Sequence, residues 1–176
     1  GREKLLEFMN EYRFASLDSL SHAILSTSEK AMRDAIAELP QGTYQHEIHT
    51  DGFDEPIVVK IAVTVKDAEL FVDYAGTSPQ CDRGINVPLA YCIAYTTYPL
   101  KCAVSPHVPN NEGSFRPIHI SAPEGCILNC TFPAPVGGRH IIGHFLSTAV
   151  FGALARPIPS RVLADGAANI WITQFS

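Results

Sequence analysis

The chain has 176 residues, 46% of them hydrophobic and 18% charged, which is enough apolar material for a domain with a sizeable core. Its formal net charge of −5 comes without any block of basic residues, so binding nucleic acid by displacing counter-ions is excluded. No apolar run approaches the roughly 18 residues that a membrane helix needs, and "GREKLLEF" lacks the apolar core of a signal peptide. The five cysteines, Cys81, Cys92, Cys102, Cys126 and Cys130, are odd in number and irregularly spaced. They read as reduced thiols in a cytoplasmic protein rather than a disulfide framework.

In chain order, Leu5, Leu6, Phe8, Met9 and Tyr12 predict a short helix over residues 3–13. A second helix is expected to start after Ser16 as N-cap, with Asp18 in its first turn. Its apolar stripe runs Leu17, Leu20, Ile24, Met32, Ile36, Leu39, and Pro40 and Gly42 close it. The period then changes to two. Ile57, Val59, Ile61, Val63 and Val65 alternate with Val58, Lys60, Ala62, Thr64 and Lys66, as in a half-buried antiparallel strand. Tyr44 to Thr50 precedes it and Leu70 to Tyr74 returns after a turn at Asp67-Ala68, giving a three-stranded meander.

After the loop "GTSPQCDRGINVP", the segment "LAYCIAYTTYPLKC" sets Tyr91, Tyr95 and Tyr98 along one helical side. Such a stripe is a packing face or, less commonly, a ligand face, and Pro99 is expected to kink or end the helix. Then come a loop over 105–114, a strand over 116–121, the turn Pro123-Glu124-Gly125 and a strand over 126–129. A Pro-rich link to Gly137-Gly138 leads into a helix from Arg139 to Ala155, and "RVLADGAANIWITQFS" reads as loop and strand. The fold class is α+β: N-terminal amphipathic helices, an antiparallel β-meander, then mixed strands and helices with long Pro/Gly-rich loops. A helical region (1–42) and an α+β region (43–176) form one domain or a piece of a longer chain. Gly1 in place of Met, and the unterminated strand pattern at the other end, also suggest an excised piece.

Three groups of residues could carry chemistry. His140 and His144 in "RHIIGH" lie four apart, a spacing that suits two metal ligands on one helical face. The glutamate of H-E-x-x-H is missing, so a metalloprotease is excluded, and no metal is assigned to the pair. "PVGGRH" places two glycines and Arg139 ahead of a helix, which reads as an anion-binding turn or a tight packing turn. "NNEGSFRP" gathers Asn111, Glu112 and Arg116 on a loop, as a functional surface or a hydrogen-bonded loop with a Glu112–Arg116 ion pair. Cys126 and Cys130 lack C-x-x-C spacing, and inert buried thiols are the simpler reading. Residue chemistry alone reaches no reaction.

Four motifs in one order, "EKAMRDAIAELPQGTY", "VTVKDAELFVDYAGTSPQCDRGINVPLA", "VPNNEGSFRPIHISAPEGCILN" and "PAPVGGRHIIGH", resemble the hydantoinase B family. That family includes N-methylhydantoinase B, the matching part of 5-oxoprolinase and the acetone carboxylase alpha subunits. The resemblance runs from about residue 28 onward and implies an internal segment of a longer chain. It implies ATP-dependent opening of a cyclic amide, with ATP bound on a hydantoinase A-type partner in a hetero-oligomer. No cofactor is assigned to this segment. A divalent metal is expected for the full complex, its His/Asp motifs upstream of these residues. The candidates that follow are Asn111, Glu112, Arg116, Arg139, His140 and His144. Cys126 stands where the family pattern has a small residue such as Ser, and Cys130 where Pro is usual, so neither thiol is expected to act. The alternatives are a ketone carboxylase alpha subunit, or a subunit-contact module without chemistry; the isolated segment is expected to be inactive.

Overall fold

The computed structural model of the chain describes residues 1–164 and 166. The predicted terminal strand in "ANIWITQFS" lies outside them. The meander forms as the alternation requires. β1 (Gly42–Thr50), β2 (Ile57–Lys66) and β3 (Glu69–Asp73) pair antiparallel. Val59, Ile61, Val63 and Val65 are buried, while Lys60, Ala62 and Thr64 face the other side. Register reinforces this, because Tyr44 and Val72 flank Val63 on the same face, whereas Glu47 lies opposite Lys60. The β2–β3 turn puts Asp67 (φ 50°) and Ala68 (φ 62°) in the left-handed region, as a two-residue hairpin demands.

The fourth strand changes the sheet. β4 (Ile118–Ser121) joins β3 in parallel, Leu70 opposite Ile118 and Val72 opposite Ile120, giving the order β1-β2-β3-β4. The predicted strand over 116–121 therefore starts two residues late. The segment before it is no plain loop: α4 (Glu112–Phe115) forms there because Asn111 caps it. Asn111 Oδ1 accepts from the Ser114 N–H at 3.1 Å and Ser114 Oγ accepts from the Asn111 N–H at 3.3 Å.

Residues 126–129 are not a strand either. Cys126 makes a lone bridge to Pro79, which has no N–H with which to extend a ladder. Turns bury Ile127 and Leu128 instead, held by Ile127 N–H donating to the Ser78 carbonyl and Val87 N–H to the Ile127 carbonyl.

Among the helices, α1 (Arg2–Glu11) buries nothing in the core. α2 (Asp18–Ala37) buries Met32 and Ile36, but in the first half of its predicted stripe Leu17 and Leu20 are only half-buried and Ile24 is exposed. The sheet meets only its C-terminal half. Leu17, not Ser16, occupies the N-cap; Ser16 Oγ still accepts from the Asp18 N–H at 3.0 Å.

α3 (Leu89–Val104) continues through Pro99, so of the expected kink or end the end does not occur. Pro99 is itself buried, so packing offsets the lost helical hydrogen bond. The helix predicted over 139–155 is two, α5 (His140–Gly143) and α6 (Phe145–Leu154), parted where Gly143 meets the Tyr91 ring. α6 turns Leu146, Ala149, Val150, Ala153 and Leu154 inward at helical spacing, lies across β1 and β2, and packs α3 on its other side. No described helix is long and apolar enough to cross a membrane.

Buried polar groups are satisfied: Tyr74, at the end of β3, is fully buried and its hydroxyl shares a hydrogen bond of 2.7 Å with Thr96 Oγ1 on α3. Desolvation pushes the Tyr74 pKa well up, so it stays a neutral phenol.

Ala68→Gly tests the hairpin. Removing the left-handed Cβ strain should stabilise the protein by about 1 kcal/mol, read as a higher midpoint in urea unfolding. An unchanged or lower midpoint would show that the turn is not held left-handed.

Candidate functional site

The six sequence-predicted residues fall into two groups with different characters. Asn111, Glu112 and Arg116 belong to a clamp between α4 and α2. Asn111 Nδ2 donates to Ser28 Oγ at 2.8 Å, and Arg116 pairs with Glu29 at 3.0 Å and with Glu112 at 3.3 Å. Glu29 also holds Arg33 at 3.0 Å, Arg33 reaches Glu69 at 2.9 Å, and His119 lies 3.3 Å from the same carboxylate. The result is one alternating ladder, Glu112–Arg116–Glu29–Arg33–Glu69–His119, running from α4 over α2 to β3 and β4.

Its electrostatics follow from its order. Hydrogen bonds from Arg116 first and Arg33 second hold the Glu29 carboxyl below its ordinary pKa, and Arg33 does the same to Glu69. Glu29 in turn raises the Arg116 guanidinium pKa. Gly113 fits because nothing larger can: a Cβ there would collide with the Leu25 carbonyl of α2. Each member of the first group has a partner within the clamp, with Glu112 and Arg116 also open to solvent. The group's polar atoms hold elements together.

Arg139, His140 and His144 surround the α5 turn. Gly138 N–H donates to the Gly84 carbonyl at 2.6 Å, which docks this turn on the loop before α3. Asn86, absent from the sequence-based candidates, organises that loop while fully buried. Its Oδ1 accepts from the Cys81 N–H, and its Nδ2 donates to the carbonyls of Cys81, Arg83 and Pro135.

The Arg139 guanidinium lies 5.8 Å from the centre of the Tyr91 ring, and Tyr91 stacks on Tyr95 at 4.1 Å. Desolvation and the Tyr95 hydrogen bond push the Tyr91 phenol up to about 12, so neither ring nor hydroxyl acts as an acid near neutral pH. His144 Nδ1–H donates to the His140 carbonyl at 2.9 Å, while the His140 side chain is exposed. Among the described residues no three His, Cys, Asp or Glu side chains gather to hold a metal ion. All five cysteines are free thiols, and burial raises the pKa of Cys126 and Cys130, as inert thiols require.

The tyrosine stripe is less a packing face than expected. Tyr98 is 67% exposed and, with Ile93 and Ala94 of α3, walls an open groove of about 550 Å³. Phe115 of α4 and Ile118 and Ile120 of β4 form the facing wall, and Lys101 and Asn110 are its polar members. Sequence reasoning passed over Lys101. A signal was there: Lys101 is the only charged residue in "LAYCIAYTTYPLKCAV".

A mixed four-stranded sheet covered on one face by helices, with a salt-bridged helical cap and a glycine-arginine turn, defines a structural class. The comparisons with known proteins give that class a family: the hydantoinase B/oxoprolinase family model matches residues 1–176, and the chain belongs to that family. A protein of Pseudomonas sp. (strain NS671), named as the B-type subunit of a D-/L-hydantoinase, is 35% identical over 190 residues, covering 100% of this chain and 32% of that protein. The fold matches the ATP-dependent caprolactamase from Pseudomonas jessenii with a TM-score of 0.79 at 22% identity, over 89% of this chain and 28% of that one. It matches an acetone carboxylase structure with a TM-score of 0.66 at 16% identity, over 76% and 20% of the two chains. The chain therefore spans about a third or less of the length of the relatives it matches.

Two substitutions test the clamp. Gly113→Ala should cost about 2 kcal/mol or more in chemical unfolding, because backbone rather than a pliant side chain stands in the way. Glu29→Gln should change the pH profile in a defined direction. A depressed carboxyl pKa contributes stability above the ordinary glutamate value of about 4.3, which is lost as pH falls through the folded value. Thermal unfolding from about pH 7 to about pH 3 should thus fall less steeply in Glu29→Gln than in the parent. Parallel curves would remove Glu29 from the clamp.

Proposed function

We propose that the chain is part of an ATP-dependent enzyme that opens cyclic amides, working with a hydantoinase A-type partner in the cytoplasm. The observation that carries this reading is the family match over all 176 residues, supported by relatives named for a hydantoinase and a caprolactamase. The chemistry is coherent with coupling to ATP. An unstrained lactam carbonyl is a poor electrophile, and phosphorylating its oxygen makes the carbon open to water. Water adds to that carbon, the C–N bond breaks with its nitrogen taking a proton, and hydrolytic loss of phosphate leaves the open carboxylate. Donors already in place would steady the charge developing in the tetrahedral adduct.

Within this chain the two residue groups take different roles in that proposal. Arg139 and His140, on the turn beside Tyr91 and Tyr95, form the surface that meets substrate or partner. Asn111, Glu112 and Arg116 act as scaffold, because each already has partners across the α2–α4 clamp. A carboxylase acting on a small ketone is the second reading, favoured by the shared fold of an acetone carboxylase.

The test uses the complete protein with its A-type partner. ADP release should depend on an added ring from a panel of hydantoin, 5-oxoproline and caprolactam. Release that requires bicarbonate and acetone instead would favour the second reading, and no stimulation by any ring would overturn the first. In the same assay Arg139→Ala should lower ring-dependent turnover about tenfold or more without lowering the melting temperature, as loss of one charge-assisted contact would. Arg116→Ala should do the reverse, lowering the melting temperature while turnover survives at permissive temperature.

A further inference from the structure

The groove between α3 and β4 contains a charge that its walls do not account for. Lys101 is 5% exposed and lines this groove, yet its ammonium makes one hydrogen bond, donated to the Val108 carbonyl at 2.9 Å. No carboxylate pairs with it among the described residues. An ammonium carries three donors, and a buried cation without an opposite charge is costly.

The last turn of α3 supplies partial negative charge from its carbonyls, which steadies the ammonium without neutralising it. Burial lowers the pKa of this amine, consistent with a cation short of a counter-charge. None of the groove residues is Asp or Glu, although the protein as a whole carries a net charge of −5. The groove also leaves Ile93, Tyr98 and Phe115 open to solvent, so three large apolar side chains line it together with the lysine.

We propose that the groove binds a small molecule with an apolar body and a carboxylate, the carboxylate pairing with Lys101 and the body lying between Tyr98, Ile93, Phe115 and Ile120. The volume of about 550 Å³ is within the range of small-molecule sites, and apolar walls with a few placed polar groups are their usual make-up. Asn110 adds an exposed amide at the same groove. The inference stands apart from the ring-opening reading, since it rests on a buried cation with no carboxylate partner among the described residues and on no reaction.

The experiment compares two probes of nearly equal shape, phenylacetate and phenylacetamide, which differ in charge. Binding to the complete protein is followed by saturation-transfer NMR and titration. Phenylacetate should bind at least about tenfold more tightly than the amide, as a charge-assisted contact requires. Lys101→Met should abolish that preference while keeping weak binding of both probes, and Ala94→Trp, which fills the groove from an exposed position, should abolish binding of both. Unfolding curves for both variants establish that each is folded. Equal affinities, a preference that survives Lys101→Met, or binding that survives Ala94→Trp would each overturn the proposal. So would absence of phenylacetate binding to the complete protein, the outcome expected if another part of that protein already fills the groove. Ring-dependent ADP release is measured on the same variants, so failure of the ring-opening reading is seen separately.

Discussion

The inward face of β2 is the surface on which the rest of the molecule is assembled. Val59, Ile61, Val63 and Val65 are all buried, and each contributes on the order of 1.5–3 kcal/mol when taken from water. That face is continuous only because β1 and β3 pair with β2 in register, setting Tyr44, Ile48, Leu70 and Val72 around it. α6 lies on β1 and β2, α3 packs against α6 and reaches Tyr74 through Thr96, and the open groove lies between α3, α4 and β4.

The ladder from Glu112 to His119 belongs to a different energetic class. Its members are partly or largely exposed, and surface ion pairs contribute little singly. What gives the clamp its position is steric. Gly113 lets the α4 backbone approach the Leu25 carbonyl, and the Asn111 side chain then reaches Ser28. The charges align the contact that the glycine permits. The densest polar motif in the sequence thus fastens α4 to α2.

The Arg139 turn has the opposite character. It is docked from below by Gly84 and the buried Asn86, and its outer side leaves Arg139 and His140 exposed beside stacked tyrosines. A rigid base under an exposed cationic turn suits recognition. The chain spans about a third of the length of the hydantoinase subunit it resembles.

The sequence by itself determined what depends on short-range periodicity and on ordered motifs. Alternation placed the three-stranded meander, the spacing of Met32, Ile36 and Leu39 placed the buried end of α2, and four motifs in order pointed to the family. Each of these signals is complete within a few turns or strands. Only the tertiary structure decided the parallel pairing of β4, the passage of α3 through Pro99 and the division of the last helix at Gly143. In each of these a packing partner overrode the local preference. It also decided which charges meet: Arg116 and Glu29 are 87 residues apart in sequence, and among the described residues no carboxylate meets Lys101. No local pattern encodes such pairings, because side chains find their counter-charges only after the backbone has brought distant segments together.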